Sequence, residues 1–78
     1  MTKGEYRVGI NFNPSNDDMV GCIKRAAADL IDLIDGIKAS TDGRDTIVEV
    51  LRLKALAQTA VEEAAMWAVK AATKPAAQ

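Results

Sequence analysis

From Arg52 to Thr73, RLKALAQTAVEEAAMWAVKAAT, the chain contains no glycine and no proline. Ala, Leu, Met, Glu, Gln and Lys dominate the stretch, and these are the stronger helix formers. Leu53, Ala57, Ala60, Ala64, Trp67 and Ala71 recur at alternating steps of four and three. That is the seam of a helix lying along a partner helix, with small residues permitting close approach and Trp67 as the one large anchor. Arg52, Gln58, Thr59, Glu62 and Lys70 fall off the seam. Taken by itself, the periodicity describes a plain amphipathic packing helix.

A chain of 78 residues makes one small domain. Such a domain buries only about 60% of the surface its unfolded form exposes, and self-association is a usual remedy. The single cysteine, Cys22, excludes an internal disulfide, and the chain has no histidine. That is a poor inventory for zinc or nucleophilic chemistry, so Cys22 reads as a small apolar residue on a helix. Ten Lys and Arg stand against eleven Asp and Glu, for a net charge of −1. A protein that coats DNA or RNA shows a basic patch instead. A small ligand with two phosphates is still compatible, because two or three placed cations meet it. The N-terminus has no apolar core of signal-peptide length, and no run approaches a membrane span. The cytoplasm is therefore the expected compartment.

The rest of the chain is read in order. Tyr6, Val8, Ile10 and Phe12 alternate with Glu5, Arg7, Gly9 and Asn11, which predicts a short extended arm over residues 5–13. The segment around Asn13-Pro14-Ser15 predicts a helix start, with Asn13 or Ser15 as cap and Ser15 with Asp18 at capping-box spacing. Helix one is predicted from about residue 16 to 39. Its main stripe is Met19, Ile23, Ala26, Leu30, Leu33 and Ile37, with Val20, Ala27, Ile31 and Ile34 beside it. This apolar sector is wider than one partner helix needs, which suggests subunit contacts. Lys24 and Arg25 form an isolated basic pair, more often a solvated face than a site. Asp29 and Asp32, like Glu62 and Glu63, read as solvated faces. Ser40 to Arg44 is the turn, with Thr41 or Asp42 available as cap, and helix two is predicted from about 45 to 73. A connection this short makes the helices antiparallel neighbours. The fold class is thus all-α: one domain over residues 1–78, an antiparallel two-helix hairpin with an extended arm.

Arg52, Leu56-Ala57, Thr59, Ala64, Met66-Trp67 and Val69-Lys70-Ala71, closing at Pro75, resemble the second helix of a phage family. That family is the small helical-hairpin sponges that sequester cyclic oligonucleotide signals and blunt bacterial CBASS immunity, related to the anti-Thoeris sponges. Tyr6-Arg7, then Ile23-Lys24 and Ala28-Asp29-Leu30-Ile31-Asp32-Leu33, resemble its first half. The segment between Arg7 and Ile23 looks a few residues longer here. The resemblance implies a phage protein acting in the infected host's cytoplasm and assembled as a homohexamer. It implies a cyclic-dinucleotide pocket using Tyr6 and Lys24, helped by Arg7 or Arg25. It also implies a separate cyclic-trinucleotide site using Arg52 and Thr59. Arg52 paired with Glu49 or Glu63 is the plainer reading of that position.

The sequence carries no phosphate-cradling GxxxxGK[ST] loop, no GxGxxG, and no acid pair beside a nucleophile or metal partner. It is read as a binding protein and not an enzyme, without catalytic residues, metal site or cofactor. Expected partners are cyclic oligonucleotides and further copies of itself, with no nucleic-acid polymer and no membrane. The rival reading is a helical dimerisation or host-protein interaction module with no nucleotide ligand.

Overall fold

A computed structural model describes residues 1–39 and 43–77. Among them are three helices and no strand: α1 (Lys3–Val8), α2 (Asp18–Asp35) and α3 (Arg44–Ala72). α2 and α3 pack on each other as the hairpin, and α1 packs chiefly on α2. The predicted turn residues Ser40, Thr41 and Asp42, and with them the proposed Thr41 or Asp42 cap, lie outside the described residues.

The expected extended arm over residues 5–13 is instead a helix followed by a turn. Thr2 and Glu5 form a reciprocal capping box: Thr2 Oγ1 accepts from the Glu5 N–H (3.1 Å), and Glu5 Oε1 accepts from the Thr2 N–H (2.8 Å). Gly9 then closes the helix at φ 64°, where glycine is the favoured residue. Ile10 and Phe12 therefore lie beyond a chain reversal from Tyr6 and Val8, and their period of two describes no strand. Six residues are too few for a 3.6-residue period to reveal itself.

Gly4 carries the packing of α1. A Cβ there would stand 2.1 Å from the Ala28 carbonyl oxygen, so only glycine allows this approach of α1 to α2. The Gly4 N–H, one of those the first turn leaves free, donates to Asp32 Oδ1 at 2.7 Å. Lys3 pairs with Asp35 (3.0 Å), and Arg25 with Glu5 (2.8 Å) and Asp29 (2.8 Å). Asp32, expected on a solvated face, is thus part of the attachment of α1, whereas Asp29 is exposed as expected and pairs with Arg25 of its own helix.

α2 starts later and ends sooner than predicted. Asp17 is its cap, accepting from the Met19 N–H, and the Ser15–Asp18 box does not form. Asn13 instead braces the preceding loop, accepting from Ser15 Oγ and donating to the Asp17 carbonyl. At the other end Lys54 of α3 donates to the carbonyls of Asp35 (2.9 Å) and Ile37. A cation at a helix C-terminus satisfies its last acceptors and its dipole together.

The face that α3 turns inward also departs from expectation. Gln58 and Ala65 are buried, with Ile47, Val50, Lys54, Val61, Ala68 and Ala72 half-buried along the same line. The predicted seam, from Leu53 through Ala60, Ala64 and Trp67 to Ala71, is exposed apart from half-buried Ala57. On α2 the lesser stripe, Val20, Ala27 and Ile31, is buried. From the main stripe Met19, Leu30, Leu33 and Ile37 are exposed, Leu33 to 72%. Polar groups decide the α3 face. Gln58, only 2% exposed, donates to the Ile31 carbonyl (3.1 Å) and Asp35 Oδ1 (3.2 Å), and accepts from Lys3 (3.1 Å). A buried amide so satisfied is tolerated, but it cannot be recognised as apolar in a sequence.

Candidate functional site

The three helices line a half-open cavity of about 340 Å³, with Arg7, Val8, Lys24, Glu62, Ala65, Met66 and Val69 at its walls. Its size is within the roughly 300–1,000 Å³ usual for small-molecule sites. α1 presents Arg7 and Val8, α2 presents Lys24, and α3 forms the opposite wall with residues at steps of three and four from Glu62 to Val69. The cavity wall therefore centres on the inward face of α3 marked by buried Ala65, and not on the predicted seam.

Lys24 is 8% exposed and fixed by the turn after α1. Its Nζ donates to the Gly9 carbonyl (3.0 Å) and to that of Phe12, and lies 5.4 Å from the centre of the Phe12 ring. Two carbonyls and a ring face hold the charge where burial alone would disfavour it. The expectation of a solvated basic pair thus fails for Lys24. Arg7 Nη2 donates to Glu62 Oε2 at 3.0 Å, joining α1 to α3 across the cavity.

The structure brings Arg7 and Lys24 to this cavity but not Tyr6. Tyr6 precedes Arg7 on α1, does not line the cavity, and is 77% exposed. Arg25 is elsewhere. With Asp17, Asp18, Cys22 and Asp29 it borders a larger but more open groove of about 630 Å³ on another face of α2. Three aspartates around one arginine already paired to Glu5 make that groove a poor host for an anion. The Glu5 carboxyl is held down to about 2, first by its hydrogen bond from Arg25 and then by the Thr2 N–H; Arg25 is raised in turn by Glu5 and Asp29.

Arg52 and Thr59 are exposed on α3, and neither lines the cavity. Arg52 makes a two-pronged pair with Glu49, Nε to Oε2 at 3.0 Å and Nη2 to Oε1 at 2.6 Å. The pair lowers the Glu49 carboxyl and raises the Arg52 guanidinium. Glu49 rather than Glu63 is the partner. Glu62 was the cavity residue that sequence reasoning placed on a solvated face. The missed signal was local: Thr2-x-x-Glu5 and Gly9 bound a helix, and a helix there carries Arg7 to within reach of α3.

Among the described residues no group of three His, Cys, Asp or Glu is arranged to hold a metal ion, and no helix is long and apolar enough to cross a membrane. The model of one family, described as Acb2/Tad1, hairpin domain, matches residues 5–73. No curated protein and no solved structure matches the chain.

Proposed function

Because the chain belongs to the Acb2/Tad1 hairpin family, the anti-CBASS and anti-Thoeris sponges, we propose that it binds and sequesters cyclic oligonucleotides without cleaving them. In an infected bacterium's cytoplasm this would starve the immune effectors of their signal. The observation that carries the reading is the cavity in which Arg7 and Lys24 meet an apolar wall, with Tyr6 exposed on the same short helix as Arg7. A phosphodiester needs cations, and a base needs a face to stack on. In this reading Tyr6 stacks on a base while Arg7 and the remaining N–H of Lys24 meet phosphates. Arg25 is left out, because Glu5 and Asp29 hold it at the other groove.

The pocket is completed by another copy. The chain exposes 5743 Å² at 8.3 kDa, where a folded monomer of that mass exposes about 4,600 Å². The molecule is 12 Å thin, about one helix diameter, so each helix leaves a face uncovered. Met19, Leu30 and Leu33 on α2 and Ile37 just beyond its end, with Leu53, Leu56 and Trp67 on α3, are the surfaces that association would bury. Six copies is the number that the family resemblance implies. In such a ring copies of Arg52 would approach one another, and a cyclic trinucleotide contacting Arg52 and Thr59 would offset their repulsion.

The same exposed stripes favour the rival, an interaction module without a nucleotide ligand. A thermal shift separates the two. Saturating cyclic dinucleotide, at a hundred times its Kd, adds about 2.7 kcal/mol to a sponge. An unchanged melting temperature with cyclic di- and trinucleotides would leave only the module.

A further inference from the structure

We propose that Glu62 is a built-in counter-anion of the nucleotide cavity, occupying Arg7 until a ligand phosphate takes its place, and so sets how tightly the cavity holds its ligand. The inference rests on the sponge reading and goes beyond it, to a residue that weakens binding rather than making it. The cavity carries two cations and one acid. Lys24 is anchored by the Gly9 and Phe12 carbonyls and cannot follow a ligand. Arg7 is therefore the cation with freedom to grip, and in the unliganded chain its Nη2 is held by Glu62 Oε2 at 3.0 Å. A cyclic dinucleotide brings two phosphate charges. With Glu62 in place the site would hold three negative charges against two positive ones, in a partly dry concavity where such an excess is costly. The Glu62 side chain is 42% exposed against 22% for Arg7, so the carboxylate has solvent to swing into while the guanidinium stays inside. The bond spans α1 and α3, so it also keeps Arg7 aimed into the cavity while the site is empty.

Calorimetry on the full chain tests this, with cyclic dinucleotides of guanine, of adenine and of both as probes. Glu62→Gln keeps the shape and removes the charge. It should bind roughly two- to fivefold more tightly than the parent, the span set by a partly exposed ion pair. Glu63→Gln removes the same charge one residue on, away from Arg7, and should match the parent at physiological salt, where distant charges are screened. On an Arg7→Ala background, Glu62→Gln should gain nothing. Binding by Glu62→Gln that is equal to or weaker than the parent's overturns the inference and leaves the sponge reading intact. An equal gain from Glu63→Gln, or a gain that survives without Arg7, does the same. Absence of binding by parent and variants alike overturns both. Binding by Glu62→Gln alone would support the counter-anion role in its strongest form.

Discussion

Arg7 and Arg52 are each held by a glutamate at hydrogen-bond distance, yet their surroundings differ. Arg7 reaches across 55 positions of sequence, from α1 to α3, and lines a concavity with Lys24 and an apolar wall. Arg52 pairs with Glu49 three positions away on one exposed helix. The first setting has walls from all three helices of one chain, because α1 packs onto the hairpin. The second, among the described residues, is an exposed face of a single helix. In the proposed reading a dinucleotide site rooted at Arg7 therefore depends on the docking of α1 before another copy completes it, whereas a trinucleotide site at Arg52 depends on association alone.

The sharpest way to break this comparison is at Gly4. Gly4→Ala drives a Cβ into the Ala28 carbonyl, and α1 must lift from α2. We expect a loss of about 1–3 kcal/mol in stability, read by thermal melting. Dinucleotide binding should vanish with it while trinucleotide binding persists. Loss of both would mean that the two sites are not independent. Lys24→Ala comes next. It leaves the Gly9 and Phe12 carbonyls short of a donor, at about 1–3 kcal/mol, so a lower melting temperature should accompany any loss of dinucleotide. Tyr6→Ala should instead leave helix content and melting unchanged by circular dichroism, because the ring is exposed. Its dinucleotide affinity should fall by the roughly 1–3 kcal/mol of a lost base stack. Arg52→Ala should abolish trinucleotide binding and spare dinucleotide binding, with stability changed by less than about 1 kcal/mol. Wild-type trinucleotide affinity in that variant would remove Arg52 from the site.

The smallest effect is on pH. The Glu5 carboxyl is lowered from 4.5 to about 2 by Arg25 and Thr2, and Asp35 is lowered chiefly by Lys3 and Gln58. Carboxyls lowered in the folded state contribute stability above their unfolded values and lose it as the pH falls through the folded ones. Both groups attach α1, so its docking should weaken between about pH 4.5 and pH 2. Melting followed across that range should show Arg25→Gln already weakened near neutrality and less sensitive to acid than the parent.

The helical character of the chain was legible because propensity and period are local properties. The stretch around Arg52 to Thr73 needs no tertiary partner to be recognised as helix, and glycine and polar residues mark the break before it. The family was also legible, from the ensemble of residues spread over both helices, and the matched span of residues 5–73 agrees. The α1 helix was obscured, although Thr2, Glu5 and Gly9 carried its signals, because an alternating pattern ran straight across its end. What only the tertiary structure decided was which stripe of each helix turns inward. Both α2 and α3 carry two apolar stripes, and hydrophobicity alone favours the ones left exposed. The choice depends on distant pairings: Lys54 with the carbonyls at the end of α2, Gln58 with Ile31 and Asp35, and Lys24 with Gly9 and Phe12. A polar side chain can be buried only where a particular acceptor or donor awaits it, and that position is a property of the folded chain.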